Sequence, residues 1–150
     1  MKRLTMIGCA IAGALASTFT LPAAADETNP YIVHRQGIYK TVAGHMTSLK
    51  AILFLGHEAK GQTTYHAEAI VEALKHMGNA YPAGSDKGET KARAEIWTQP
   101  EKFREAGQNS FAAATALSDA TQMGDTKEVM GAYKKLGESC KACHDDFRKK

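Results

Sequence analysis

Cysteine is scarce in this chain, and strand-like alternation of apolar and polar residues is missing from it. Three cysteines stand in 150 residues, and Cys9 falls in an apolar N-terminal segment, leaving Cys140 and Cys143. A structural zinc site takes about four protein ligands, and no second cysteine pair exists to supply them. A disulfide between Cys140 and Cys143 would close a very short loop, straining its geometry and hardly restraining the unfolded chain. A thioredoxin-type pair belongs in a βαβ context, which the lack of strands excludes. Net charge is also small. Nineteen Lys and Arg stand against sixteen Asp and Glu, a balance of +3, and no basic run makes a case for nucleic acid. Beyond the N-terminal segment there are no internal repeats and no low-complexity tracts, and the length suits one domain.

What is present begins with an export signal. Lys2 and Arg3 precede an uncharged, largely apolar run from Leu4 to Leu21, followed by Ala23, Ala24 and Ala25. This pattern reads as a secretory signal over residues 1–25, cleaved after Ala25. The mature protein is then residues 26–150, with no membrane insertion after cleavage. The apolar run continues well past Cys9, so Cys9 reads as an ordinary signal residue rather than a lipid-modified one. Loss of Lys2 and Arg3 leaves seventeen basic against sixteen acidic residues, a net +1.

Four segments carry helical periodicity. The first spans about Pro30 to Gly56, with Ile32, Ile38, Tyr39, Val42, Met46, Leu49, Ile52 and Leu53 on one face. The second runs from about Thr64 to Ala80 around Ile70, Ala73, Leu74 and Met77, with Thr63 or Thr64 as its cap. Tyr81 to Gly88 is a loop by composition. Irregular chain is expected from there to about Gln99, anchored by Ile96 and Trp97. The third helix starts near Pro100 and turns Phe103, Ala106, Ser110, Ala113, Ala114 and Leu117 inward. Gly124 and Asp125 separate it from the fourth, with Asp125 as N-cap and Glu128 three residues on. The fourth carries Val129, Tyr133, Leu136, Cys140, Cys143, His144 and Phe147 on one face and ends in Arg148, Lys149 and Lys150, charges that suit a helix C-terminus. The expected fold is all-α, an antiparallel four-helix bundle.

Cys140-Lys141-Ala142-Cys143-His144 is the C-x-x-C-H haem attachment pattern. Steps of three and four return to one face of a helix. Both sulfurs then meet the two vinyl groups of one haem as thioethers, and His144 is the proximal iron ligand.

With that motif at its C-terminus, the sequence resembles cytochrome c′, the class II c-type cytochromes, across the whole mature chain. Three segments carry the likeness: Cys140 to Arg148, His34-Arg35-Gln36 in the first helix, and Glu95-Ile96-Trp97 before the third. The resemblance implies one covalent haem c and a periplasmic location. It places Arg35 and Gln36 at the haem edge, Arg35 near a propionate, with Lys91 approaching the haem and Arg148 near the proximal face of His144. It also implies a homodimer through the first two helices, where Ala51, Phe54 and Leu55 widen the apolar surface.

The first-helix position facing the iron matches Tyr39, with Ile38 beside it. A Met there would supply a sixth ligand, and no Met stands at 38 or 39. Met46 is two turns further on, about 10 Å along the axis, and Met77, Met123 and Met130 read as core filler. His45 is the nearest rival ligand, six residues past Tyr39; His34, His57, His66 and His76 read mostly as surface residues. The expected state is therefore a five-coordinate, high-spin iron, with NO and CO as ligands and electron transfer to an unidentified periplasmic partner as the other use. No distal His and Arg pair suggests an enzyme. The alternative is a six-coordinate, low-spin carrier with a distal Met or His.

Overall fold

A computed structural model of the chain describes residues 29–150; the signal-peptide reading of residues 1–25 lies outside them. Helix α1 spans Pro30–Phe54. The Asn29 side chain accepts from Tyr31 N–H, and Pro30 sits where a missing N–H costs nothing. The helix ends at Gly56, whose φ of +78° suits glycine, and His57 N–H reaches back to Ala51 O. A 3₁₀ turn, Lys60–Gln62, leads into α2, Thr63–Lys75. Neither Thr63 nor Thr64 caps this helix. Thr63 N–H already bonds Lys60 O, the Thr63 hydroxyl donates to the same carbonyl, and that of Thr64 donates to Thr121 O. The preceding turn has taken over the work a cap would do.

Helix α2 stops at Lys75, five residues short of Ala80, and the chain turns there. The long connection is also less irregular than its composition implies. Glu95–Thr98 forms a single turn, α3, held by buried Ile96 and by Trp97 Nε1 donating to Pro82 O at 3.1 Å. Helix α4, Pro100–Met123, begins on its proline and ends at Gly124, φ +81°. Asp125 caps α5, Thr126–Phe147, accepting from Glu128 N–H at 2.8 Å. The terminal charges do not extend that helix. Arg148 turns to extended backbone and pairs antiparallel with Ala92, while Lys149 N–H bonds Lys91 O and Arg93 N–H bonds Phe147 O. These long-range backbone bonds replace the carbonyl partners that another helical turn would have given.

Helix α1 packs on α2, α2 on α4, and α4 on α5. Arg35 reaches Ala80, Tyr81 meets Phe103, and Phe103 meets Phe147. These contacts gather the start of α1, the end of α2, the start of α4 and the end of α5 at one end of the molecule, which defines an antiparallel four-helix bundle. Its centre is Leu49, Ala67, Ile70, Ala114, Leu117 and Leu136, all fully excluded from solvent. Met46 packs against this core. Met77 and Met130 are half-buried, but Met123, at the last position of α4, is exposed and fills no core. Among the described residues no helix is long and apolar enough to cross a membrane.

Candidate haem site

The unbroken run of α5 to Phe147 sets Cys140, Cys143 and His144 on one face near its end. Cys140 packs against the core, both cysteines are half-buried free thiols, and His144 is exposed. Burial raises the Cys140 thiol, partly offset by a hydrogen bond from Ser139. Burial also raises Cys143, reinforced by Cys140 and Asp146. Both are therefore neutral thiols at neutral pH. Although exposed overall, His144 is lowered by partial desolvation of its ring and then by the positive Arg148, against the opposing pull of Asp145. A neutral imidazole is the form that ligates a metal.

Helix α1 brings Tyr39 to this group. Tyr39 is 37% exposed, but desolvation of its hydroxyl, then Tyr81, then the two thiols Cys143 and Cys140 push the phenol far above its ordinary value. Tyr81 Oη donates to Tyr39 Oη at 3.4 Å, a long and weak bond. Ile38 beside Tyr39 is half-buried. Tyr81 is the site residue that the sequence reading passed over as loop. Its ring lies 4.9 Å from Phe103 and 6.1 Å from Trp97, with Phe103 5.1 Å from Phe147. The one local signal was a large aromatic directly before a proline in an otherwise small and polar loop.

Arg35 is not a solvated helix charge, since only 2% of it is exposed. One terminal nitrogen donates to Ala80 O at 3.1 Å and Ser85 Oγ at 3.0 Å; the other donates to Ser85 O at 2.7 Å and Thr90 Oγ1 at 3.1 Å. The guanidinium also stacks 4.7 Å over the Tyr81 ring. Its four terminal N–H groups are thus committed to the connection, which leaves Nε–H for any anionic edge of a bound group. Gln36 is likewise tied to that connection, Nε2 donating to Glu89 O at 2.8 Å. Lys91 and Arg148 are both exposed, and backbone pairing holds their segments together. Arg148 N–H bonds His144 O at 3.1 Å as the closing backbone bond of α5, and the Arg148 charge is what acts on the imidazole.

The donor set fits a haem. Two neutral thiols and an imidazole share one helical face, and an aromatic wall stands beside them. Among the described residues no cluster of three or more His, Cys, Asp or Glu offers a competing metal site.

The family model described as cytochrome C′ matches residues 31–148. Cytochrome c′ of Rhodospirillum rubrum is 32% identical over 99% of both chains. Among solved structures, cytochrome c′ from Thermochromatium tepidum has a TM-score of 0.76 and 30% identity, covering 80% of this chain and 95% of the other. Mutants of the Alcaligenes xylosoxidans protein, one in complex with nitric oxide and one with carbon monoxide, score 0.74 at 27% identity, covering 80% and 94%. A cytochrome c′ with ligand-controlled dimer dissociation scores 0.75 at 28%, covering 80% and 95%. With its C-terminal cysteine pair and four-helix bundle, the chain belongs to the cytochrome c′ family and binds covalent haem c.

Proposed function

We propose that this protein is a periplasmic, non-enzymatic cytochrome whose iron is held by His144 alone and is five-coordinate and high-spin at rest. When bound, the haem supplies a redox-active iron with one face open to small ligands. Cys140 and Cys143 would fix the ring to α5, and the positive Arg148, which acts on His144 through its charge, would lie on the proximal side. Tyr39 walls the opposite side. The observation that carries this reading is the residue on α1 beside the cysteines, a phenol where a thioether would be needed for a sixth ligand. With its hydroxyl desolvated beside Tyr81, that phenol stays protonated and is a poor ligand at neutral pH. Met46 and His45 offer no replacement: Met46 packs on the core and His45 is engaged with His66.

Binding of NO and CO follows from this arrangement, as does electron exchange with a periplasmic partner. The NO and CO complexes of the Alcaligenes proteins support the first. Gln36 and Lys91 lie on the segments that border the site, and Arg35 holds the Tyr81 wall in place. Pairing of two copies through α1 and α2 is part of the same proposal. Leu55 is 70% exposed, whereas Phe54 is packed on Tyr133 and contributes less to such a surface. Light scattering that gives only monomer at micromolar concentration and above refutes the pairing.

Spectra of the oxidised, reduced and CO-treated protein test the coordination. The expected ferrous state is high-spin and changes on CO addition. A low-spin ferrous spectrum that CO leaves unchanged would establish the six-coordinate carrier instead.

A further inference from the structure

His45 on α1 and His66 on α2 meet with their Nδ1 atoms 2.8 Å apart. The rings are tilted by 55° with centroids 5.2 Å apart, and Tyr65 stands edge-on to both. Both imidazoles are half-buried. Neither belongs to the haem site. At this distance one neutral ring donates its Nδ1–H to the lone pair of the other, and a cation that displaced this proton would meet both nitrogens at once.

We propose that His45 and His66 form a two-imidazole chelate for a divalent transition-metal cation, copper(II) foremost. With metal–nitrogen distances of about 2.0–2.1 Å, a 2.8 Å separation corresponds to a ligand–metal–ligand angle near ~90°. That is the cis angle of a square-planar or tetragonal site. A tetrahedral site would need the nitrogens roughly 0.5 Å further apart. Copper(II) and nickel(II) take the tetragonal geometry with nitrogen and oxygen ligands, and the general affinity order puts copper(II) highest. The packing of α1 on α2 holds the two rings in place before any metal arrives. Water completes the coordination on the open side, and Tyr65 screens the other edge without ligating. A bound cation would tie α1 to α2.

The test uses the haem-loaded mature protein, in which His144 is already engaged, titrated with copper(II) alone. One tight copper per chain is expected, with an electron paramagnetic resonance signal split by two imidazole nitrogens and distinct from that of the iron. His45→Ala and His66→Ala should each weaken binding by about tenfold or more. His76→Ala should leave it unchanged, although His76 Nε2 lies 3.3 Å from Glu72 and offers a rival surface pair. Tight binding that survives in the His45→Ala, His66→Ala double variant overturns the proposal. So does a spectrum of the unmodified protein showing one nitrogen or none, a reading that does not depend on the variants folding.

Discussion

The seam between α2 and α4 and the seam between α1 and α5 are built from different side chains. The first joins Ala67 and Ile70 to Ala114 and Leu117, all fully buried, and small residues let the backbones approach closely. The second adds long side chains to the fully buried Leu49 of α1 and Leu136 of α5. Tyr133 Oη donates to Met46 O at 3.1 Å, Phe54 lies 5.4 Å from the Tyr133 ring, and Tyr39 faces the cysteine pair. Aromatic spacers hold two helices apart where alanines would let them close. In the proposed arrangement the haem would lie on the side lined by these aromatics, next to the cysteine pair, and away from the closely packed α2–α4 seam.

The largest expected effect removes the group that the wide seam accommodates. Cys140→Ala with Cys143→Ala should abolish covalent haem, read as complete loss of colour from the polypeptide after acid-acetone extraction. Haem retained through that extraction would contradict thioether attachment.

Next come substitutions that set the seams against each other. Leu117→Ala should cost about 2–5 kcal/mol by denaturant unfolding, because a buried cavity cannot collapse fully. Phe54→Ala on the wide seam should cost less, about 1–2 kcal/mol, because that ring is only half-buried and loses less area from burial. Equal costs would erase the distinction between the seams. Arg35→Ala should cost about 2–3 kcal/mol, since it strips charged donors from Ala80 O and Ser85 O, and limited proteolysis should then cut within residues 81–94. Arg35→Lys should rescue little, because a single ammonium cannot reproduce the planar fork.

Periodicity made the four helices legible, and the chemistry of C-x-x-C-H made the attachment site legible. Both signals are local, written in steps of three and four residues. Arg35 shows where local signals stop. The resemblance placed it at the haem edge, but its partners are Ser85 and Thr90, 50 and 55 residues away on a connection without periodicity. The same reason hid Tyr81, and it hid the pairing of Arg148 with Ala92, where three terminal cations resemble a helix end by composition alone. The cap on α2 failed differently. Both threonines were present, but a preceding 3₁₀ turn had already engaged the first N–H groups.

The smallest effects concern the role proposed for Tyr39 over the open face. Two mechanisms are separable: the bulk of the ring, and the hydroxyl that accepts from Tyr81. At 3.4 Å that hydrogen bond is too long to contribute much. Tyr39→Ala removes both, and should raise CO affinity on the order of tenfold, equivalent to about 1.4 kcal/mol, with haem attachment intact. Tyr39→Phe keeps the ring and removes only the hydroxyl. It should change CO affinity by less than about threefold, or roughly 0.6 kcal/mol. Tyr81→Phe should behave like Tyr39→Phe, since it breaks the same contact from the other side. The measurement is a CO titration of the ferrous protein for each variant. If Tyr39→Phe matched Tyr39→Ala, the lid would act through its hydroxyl, and the wide seam would owe its selectivity to a polar contact rather than to the aromatic bulk that keeps α1 and α5 apart.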